Sequence, residues 1–219
     1  MKCGEKNLRL YAVTDRSWLK DSALETQVEE ALLGGATFVQ LREKELDREA
    51  IRQEALRIRD LCRKYQVPFV IDDEVELALE TDADGVHIGQ SDMALRDARE
   101  QLGPKKIIGV SARTLEEALE AEQNGADYLG VGAVFSTSTK PDAADVSLET
   151  LSSICRAVSI PVVAIGGIKK ENLPELAGTG IAGVAVVSAI FAAPDIRKAA
   201  EELRQLSEAA AAGKAGVTG

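Results

Sequence analysis

Eight times along this chain a short run rich in β-branched and other apolar residues is followed by a stretch with helical spacing, and no other feature limits the fold as strongly. The strand runs fall at 8–13, 37–41, 68–71, 85–88, 106–110, 128–131, 161–165 and 183–187. Helical stretches lie near 23–33, 47–65, 74–80, 94–101, 115–124, 148–157, 171–177 and 195–206. In the second of these, Ile51, Ala55, Ile58 and Cys62 fall on one face. The strand runs are apolar on both parities, as parallel strands covered on each side must be. Eight β-then-α units predict the α/β class and a single (β/α)8 TIM barrel. An open doubly wound sheet is the alternative, but it more often has about five to seven strands.

Small residues mark where helices hand over to strands. Leu33-Gly34-Gly35-Ala36, Thr81-Asp82-Ala83-Asp84, Asn124-Gly125-Ala126-Asp127 and Gly180-Ile181-Ala182-Gly183 each read as a helix end followed by a strand. These turns fall on the face opposite the polar clusters described below and are assigned to stability. The barrel domain is read as residues 1–206, with 207–219, rich in alanine and glycine, as a flexible C-terminal tail.

Polar clusters follow the strand runs where a barrel carries its chemistry. The first is Gln40-Leu41-Arg42-Glu43-Lys44. Side chains two apart on a strand share a face, so Gln40, Arg42 and Lys44 are expected to point together into the mouth. Leu41 and Glu43 then face the helices or the rim. Arginine offers a planar fork for phosphate oxygens, and lysine a movable charge. A strand end dissolving into a charged loop is the plainer account of the same residues.

Asp72-Asp73-Glu74 follows the third run, and Asp92 follows the fourth. Magnesium takes oxygen ligands, commonly one or two carboxylates with water and substrate phosphate. Acids from adjacent strands would supply such a pair. Helix capping is the competing explanation for each. Ser111 places a small hydroxyl at the end of the fifth strand. Thr137-Ser138-Thr139-Lys140 forms a hydroxyl-rich loop after the sixth. Ile165-Gly166-Gly167-Ile168 and Val187-Ser188-Ala189-Ile190 follow the seventh and eighth, where this fold commonly binds phosphate through backbone N–H groups.

Composition narrows the ligand. The formal charge is −10, which disfavours a nucleic-acid surface and requires any anion site to gather cations locally. With 45% apolar residues the chain is not disordered, and no run approaches the roughly 18 residues of a membrane span. The first residues lack a secretory apolar region, and Cys3, Cys62 and Cys155 make no CxxC pair. A cytoplasmic protein acting on small molecules, with no nucleic-acid or membrane partner, is expected; homo-oligomerisation is left open. His87, the sole histidine, reads as a hydrogen-bonded core residue rather than a proton relay. Trp18 either helps to cover the mouth or packs at the rim.

Taken in order, these motifs resemble the thiamine-phosphate synthase (thiamine-phosphate pyrophosphorylase) family. The matching stretches are Leu10-Tyr11-Ala12-Val13-Thr14-Asp15, residues 40–44, 71–79 and 84–90, Gly109-Val110-Ser111-Ala112, and residues 137–140, 165–168 and 187–190. The likeness spans about residues 8–205. It implies a transferase that couples a hydroxymethylpyrimidine diphosphate to a thiazole phosphate and releases pyrophosphate, with Mg2+ as cofactor. By this resemblance Gln40, Arg42, Lys44, Asp72 and Lys140 occupy the pyrimidine-diphosphate site, with Ser111, Lys140 and Arg42 at the reacting centre. Asp73 and Asp92 match the magnesium ligands. Thr137, Thr139, Gly167, Val187 and Ser188 match the thiazole-phosphate site.

One residue departs from the pattern. The family usually has asparagine where this chain has Asp72, and an extra carboxylate there repels a diphosphate unless something offsets it. The expectation is that Asp72 joins the metal shell, directly or through water.

Overall fold

The computed structural model describes residues 3–19, 22–136 and 146–213. Eight parallel strands close on themselves: β1 (Leu10–Val13), β2 (Phe38–Leu41), β3 (Phe69–Asp72), β4 (Gly85–Ile88), β5 (Ile107–Ala112), β6 (Tyr128–Val131), β7 (Val162–Ile165) and β8 (Gly183–Val186). Each strand pairs with the next in sequence, and β8 returns to β1 through Leu10↔Val184 and Ala12↔Val186. The expected (β/α)8 barrel is what the chain forms.

Around it lie α1 (Leu24–Leu33), α2 (Arg48–Tyr65), α3 (Val75–Glu80), α4 (Leu95–Leu102), α5 (Leu115–Gln123), α6 (Leu148–Ala157), α7 (Ser188–Phe191) and α8 (Ile196–Ala211). Helix α2 shows why such segments form. Asp47 accepts a hydrogen bond from Ala50 N at 2.9 Å and starts it, while Ala55, Ile58 and Cys62 line the face that packs inward. Gln66 in the left-handed region ends it. A fully buried isoleucine such as Ile58 contributes roughly 1.5–3 kcal/mol.

Strand parity separates two cores. Alternate residues such as Leu10, Ala12, Val39, Leu41 and Ile71 pack against the helices. The other set, with Tyr11, Val13, Phe38, Val70, Tyr128 and Val163, fills the barrel. Tyr11, Phe38 and Tyr128 pack edge-on, with ring centroids 4.6–5.9 Å apart, and fill the space below the strand ends.

Several boundaries differ from expectation, each for a local reason. Residues 8 and 9 precede β1, because Glu5–Leu8 forms a 3-10 turn that buries Leu8. The stretch near 171–177 is a 3-10 turn, Leu173–Leu176, with Pro174 beside its start. Strand β8 ends at Val186 and α7 follows almost at once. The helix expected to end near 206 continues to Ala211. Ser207 is buried and its hydroxyl donates to Arg9 O, while Ala210 is also buried. Residues 207–211 therefore pack on the barrel.

Candidate active site

Strand parity also decides which side chains reach the mouth. Inward positions at the C-terminal strand ends are Val13, Gln40, Asp72, His87, Ser111, Gly130, Ile165 and Ala185, and all line one cavity of about 370 Å³. Arg42, Arg113, Gly166, Gly167, Lys169, Val187 and Ser188 line it from the loops. Gln40, Arg42, Asp72, Ser111, Gly167, Val187 and Ser188 thus come from five different strand ends to one place. Thr137, Thr139 and Lys140 lie outside the described residues.

The β2 loop divides its cations. Arg42 lines the cavity, and its Nε has no hydrogen-bond partner among the described residues, although Asp72 Oδ2 lies 3.8 Å away. Gln40 is buried with its Nε2 likewise without a hydrogen-bond partner. Buried donors left in this state fit an anionic or polar ligand, because they are costly otherwise. Lys44 lies beyond the end of β2 at the edge of the mouth, half exposed, with Nζ 2.7 Å from Asp73 Oδ2 and 3.3 Å from Asp72 Oδ2. Burial works against its charge, but the two carboxylates outweigh that and hold its pKa above the ordinary lysine value.

Glu43 faces the helix layer, as strand parity expects, and is held there by charge. Its carboxylate is 2% exposed and receives Arg16 Nε at 2.5 Å as well as the N–H groups of Lys44 and Glu45. The same Arg16 grips both oxygens of buried Glu54 at 2.7 Å. The loops after β1 and β2 are therefore tied together on α2.

The acids converge at the edge of this mouth. Asp73 has φ +61, a left-handed conformation that is strained for a non-glycine residue, and its N–H donates to His87 O at 2.9 Å. Its carboxyl meets that of Asp92, whose Oδ2 accepts from Gly89 N at 2.7 Å. Burial first, then the Asp73 carboxyl beside it, raises the Asp92 pKa. Two acids brought together from neighbouring strands are a donor pair that suits a hard divalent cation, with water and phosphate oxygens completing the shell. No cluster of three or more histidine, cysteine or acidic ligands occurs among the described residues. Asp72 shares Lys44 with Asp73 and also lies 3.8 Å from Arg42 Nε, so neighbouring cations offset its charge.

The diglycine turn after β7 is held open by geometry. Gly166 and Gly167 have φ +98 and +64, and a Cβ on Gly167 would fall 2.5 Å from the carbonyl oxygens of Phe135 and Ser136. Asn172 secures the turn, accepting from Lys169 N at 2.8 Å and donating to Gly167 O at 3.0 Å.

Three polar lining residues escaped the sequence reading: Arg113, Ser136 and Lys169. Arg113 was detectable, since it stands two beyond Ser111 just as Arg42 stands two beyond Gln40. Lys169 enters through a loop whose course no strand pattern fixes. Trp18 does line the cavity, at 38% exposure.

A closed barrel with cations, hydroxyls and a glycine turn gathered around a cavity at its strand ends has the layout of a (β/α)8 enzyme acting on small molecules. Comparison with known proteins specifies which kind. The family model described as thiamine monophosphate synthase matches residues 10–190. Thiamine-phosphate synthase of Clostridium acetobutylicum is 53% identical over 189 residues, covering 86% of this chain and 90% of that relative. The corresponding protein of Chloroflexus aurantiacus is 49% identical over 199 residues, covering 90% and 92%. Among solved structures, thiamine phosphate pyrophosphorylase from Pyrococcus furiosus superimposes with a TM-score of 0.86 at 47% identity, over 93% of this chain and 97% of that one. The chain belongs to the thiamine monophosphate synthase family, a family of transferases. A 3-hexulose-6-phosphate synthase, at 19% identity and a TM-score of 0.61, shares the fold alone.

Proposed function

We propose that this protein is a cytoplasmic, magnesium-dependent thiamine-phosphate synthase that joins 4-amino-5-hydroxymethyl-2-methylpyrimidine diphosphate to a thiazole phosphate. One observation carries the reading most directly: Arg42 and Gln40 hold buried donors without hydrogen-bond partners among the described residues, in the same cavity as Ser111 and the Gly166-Gly167 turn. Such a cavity suits a polar head at one side and a phosphate at the other.

In this reading Gln40, Arg42, Lys44 and Lys140 receive the pyrimidine diphosphate, and Asp73 with Asp92 would hold Mg2+. The ion would supply Lewis-acid charge that lowers the cost of the developing pyrophosphate anion. Thr137, Thr139, Gly167, Val187 and Ser188 receive the thiazole phosphate. Asp72 keeps the β2 cations in place between turnovers, because its carboxylate lies within 3.3–3.8 Å of both.

The chemistry is a displacement at a CH2 group. The C–O bond to the diphosphate breaks with its electron pair leaving on oxygen, where Arg42, Lys44 and Lys140 meet the growing charge. The aminopyrimidine ring delocalises the positive charge left behind. The thiazole nitrogen then donates its lone pair to the CH2 carbon and forms the C–N bond. That nitrogen needs no deprotonation, so no protein nucleophile or general base is required. Rate comes from positioning and from charges already in place. Ser111, at the end of β5, sits beside the reacting centre.

The test is direct. Purified protein, both phosphorylated halves and Mg2+ should yield thiamine phosphate and pyrophosphate in equal amounts. Binding of both halves with no pyrophosphate released would reject the reading in favour of a ligand-binding protein on the same scaffold.

A further inference from the structure

A chain of polar groups runs up the barrel axis beneath the site. The hydroxyls of Tyr11 on β1 and Tyr128 on β6 lie 2.8 Å apart. Tyr128 Oη is 3.0 Å from His87 Nδ1 on β4, and His87 Nε2 is 3.0 Å from Ser111 Oγ on β5. The floor of the cavity is thus joined to a cavity-lining hydroxyl by four side chains from four strands.

We infer that Tyr11, Tyr128 and His87 form a one-way hydrogen-bond chain that fixes the His87 proton on Nε2 and turns the Ser111 proton toward bound substrate. The direction follows from counting donors. Tyr11 is 2% exposed, and Tyr128 Oη is the hydrogen-bonding partner of its hydroxyl among the described residues. Burial pushes both phenols well above their ordinary pKa, so each keeps its proton. Were Tyr128 to donate to Tyr11, the hydrogen bonds among the described residues would leave the Tyr11 proton, on a residue 2% exposed, without an acceptor, an arrangement folded proteins avoid. Tyr11 therefore donates to Tyr128, and Tyr128 donates to His87 Nδ1. An accepting Nδ1 leaves the ring proton on Nε2, which donates to Ser111 Oγ. The Ser111 proton is then released from the chain and available to an acceptor in the cavity.

Two glycines show that the strands are built around this chain. A Cβ on Gly109 would fall 2.0 Å from Tyr128 Cζ, and one on Gly130 would fall 3.1 Å from His87 Cε1. Glycine inside a strand weakens it, and close approach by another group is a recurring reason for its presence. Here both stand where the rings of the chain pass, at the positions paired as His87↔Gly109 and Ser111↔Gly130. His87, Tyr128 and Tyr11 are positioning residues that act through Ser111. That last step rests on the reading above, in which Ser111 touches the reacting substrate.

The sole histidine makes the test unambiguous, because every imidazole 15N signal belongs to His87. In 15N-labelled wild-type protein the ring should be neutral with its proton on Nε2. Tyr11→Phe should keep that tautomer, since the Tyr128 proton still has Nδ1 as its acceptor. Tyr128→Phe should shift the ring toward a mixture. It should also lower kcat by roughly tenfold while KM stays within about twofold, a split that simple loosening of the fold would not give. A wild-type ring protonated on Nδ1, or on both nitrogens, overturns the chain's direction. An altered tautomer with unchanged kcat in Tyr128→Phe overturns the link to Ser111. If wild-type protein makes no thiamine phosphate, the proposed function fails, yet the wild-type and Tyr11→Phe spectra still decide the tautomer. Those two spectra also suffice should Tyr128→Phe not fold.

Discussion

Arg16, in the loop after β1, holds the buried Glu43 carboxylate of the loop after β2 at 2.5 Å, and so fixes the segment that carries Arg42 and Lys44. Removing one partner of a buried pair leaves the other charge uncompensated, at about 3–5 kcal/mol. Arg16 is 26% exposed, so the lower end of that range applies. Arg16→Ala should therefore lose about 3 kcal/mol in urea unfolding and raise KM for the pyrimidine diphosphate. Unchanged values of both would show that the β2 loop is held by other contacts.

The same pair sets an acid dependence. Burial raises the Glu43 pKa, but the Glu45 N–H and the Arg16 guanidinium outweigh it and hold the carboxyl below its ordinary value of 4.5. A group with a depressed folded pKa contributes stability that is complete above its unfolded pKa and lost as pH falls through the folded one. Stability should thus decline as the pH drops below about 4.5, and Glu43→Gln should decline less steeply over that window. Parallel pH profiles of the two proteins in chemical denaturation would contradict this.

Ser111→Ala should reduce kcat by roughly 100-fold or more with little change in KM, since a donor aimed at the reacting centre acts mainly in the transition state. Steady-state kinetics decide it. Equal losses in kcat and in binding would reduce Ser111 to an ordinary substrate contact.

Asp72→Asn removes a carboxylate 3.3 Å from Lys44 Nζ. The diphosphate should then bind more tightly, because the β2 cations no longer divide their field between Asp72 and substrate. The magnesium concentration giving half-maximal turnover should stay the same. A changed magnesium requirement would return Asp72 to the metal shell. Chelation should abolish turnover in both proteins, and added Mg2+ should restore it.

Much of this architecture was legible because strand parity is a strict code. The apolar runs that produced β1–β8 also predicted that Gln40 and Arg42 would share the cavity, and they do. The same rule failed at Lys44, because β2 ends at Leu41 and the backbone beyond it no longer alternates. Glu43 faces the helix layer as parity implies, but its ion pair could not be read, because Arg16 stands 27 positions earlier and no local pattern connects the two. Helix α8 outran its expected end because Ser207 is satisfied by a carbonyl of Arg9, at the far end of the chain. His87 was read as a hydrogen-bonded residue, which it is, but its partners on β5 and β6 become neighbours only when the sheet closes in register.

The central claim is that charge waiting at the barrel mouth stabilises a departing diphosphate, and the rate of a single turnover measures that step most directly. With enzyme in excess and saturating Mg2+ and thiazole phosphate, pyrophosphate release should be at least roughly tenfold slower in Arg42→Ala than in the wild type, even at saturating pyrimidine diphosphate. Equal single-turnover rates would mean that Arg42 only gathers substrate, and the account of how this site breaks the C–O bond would be wrong.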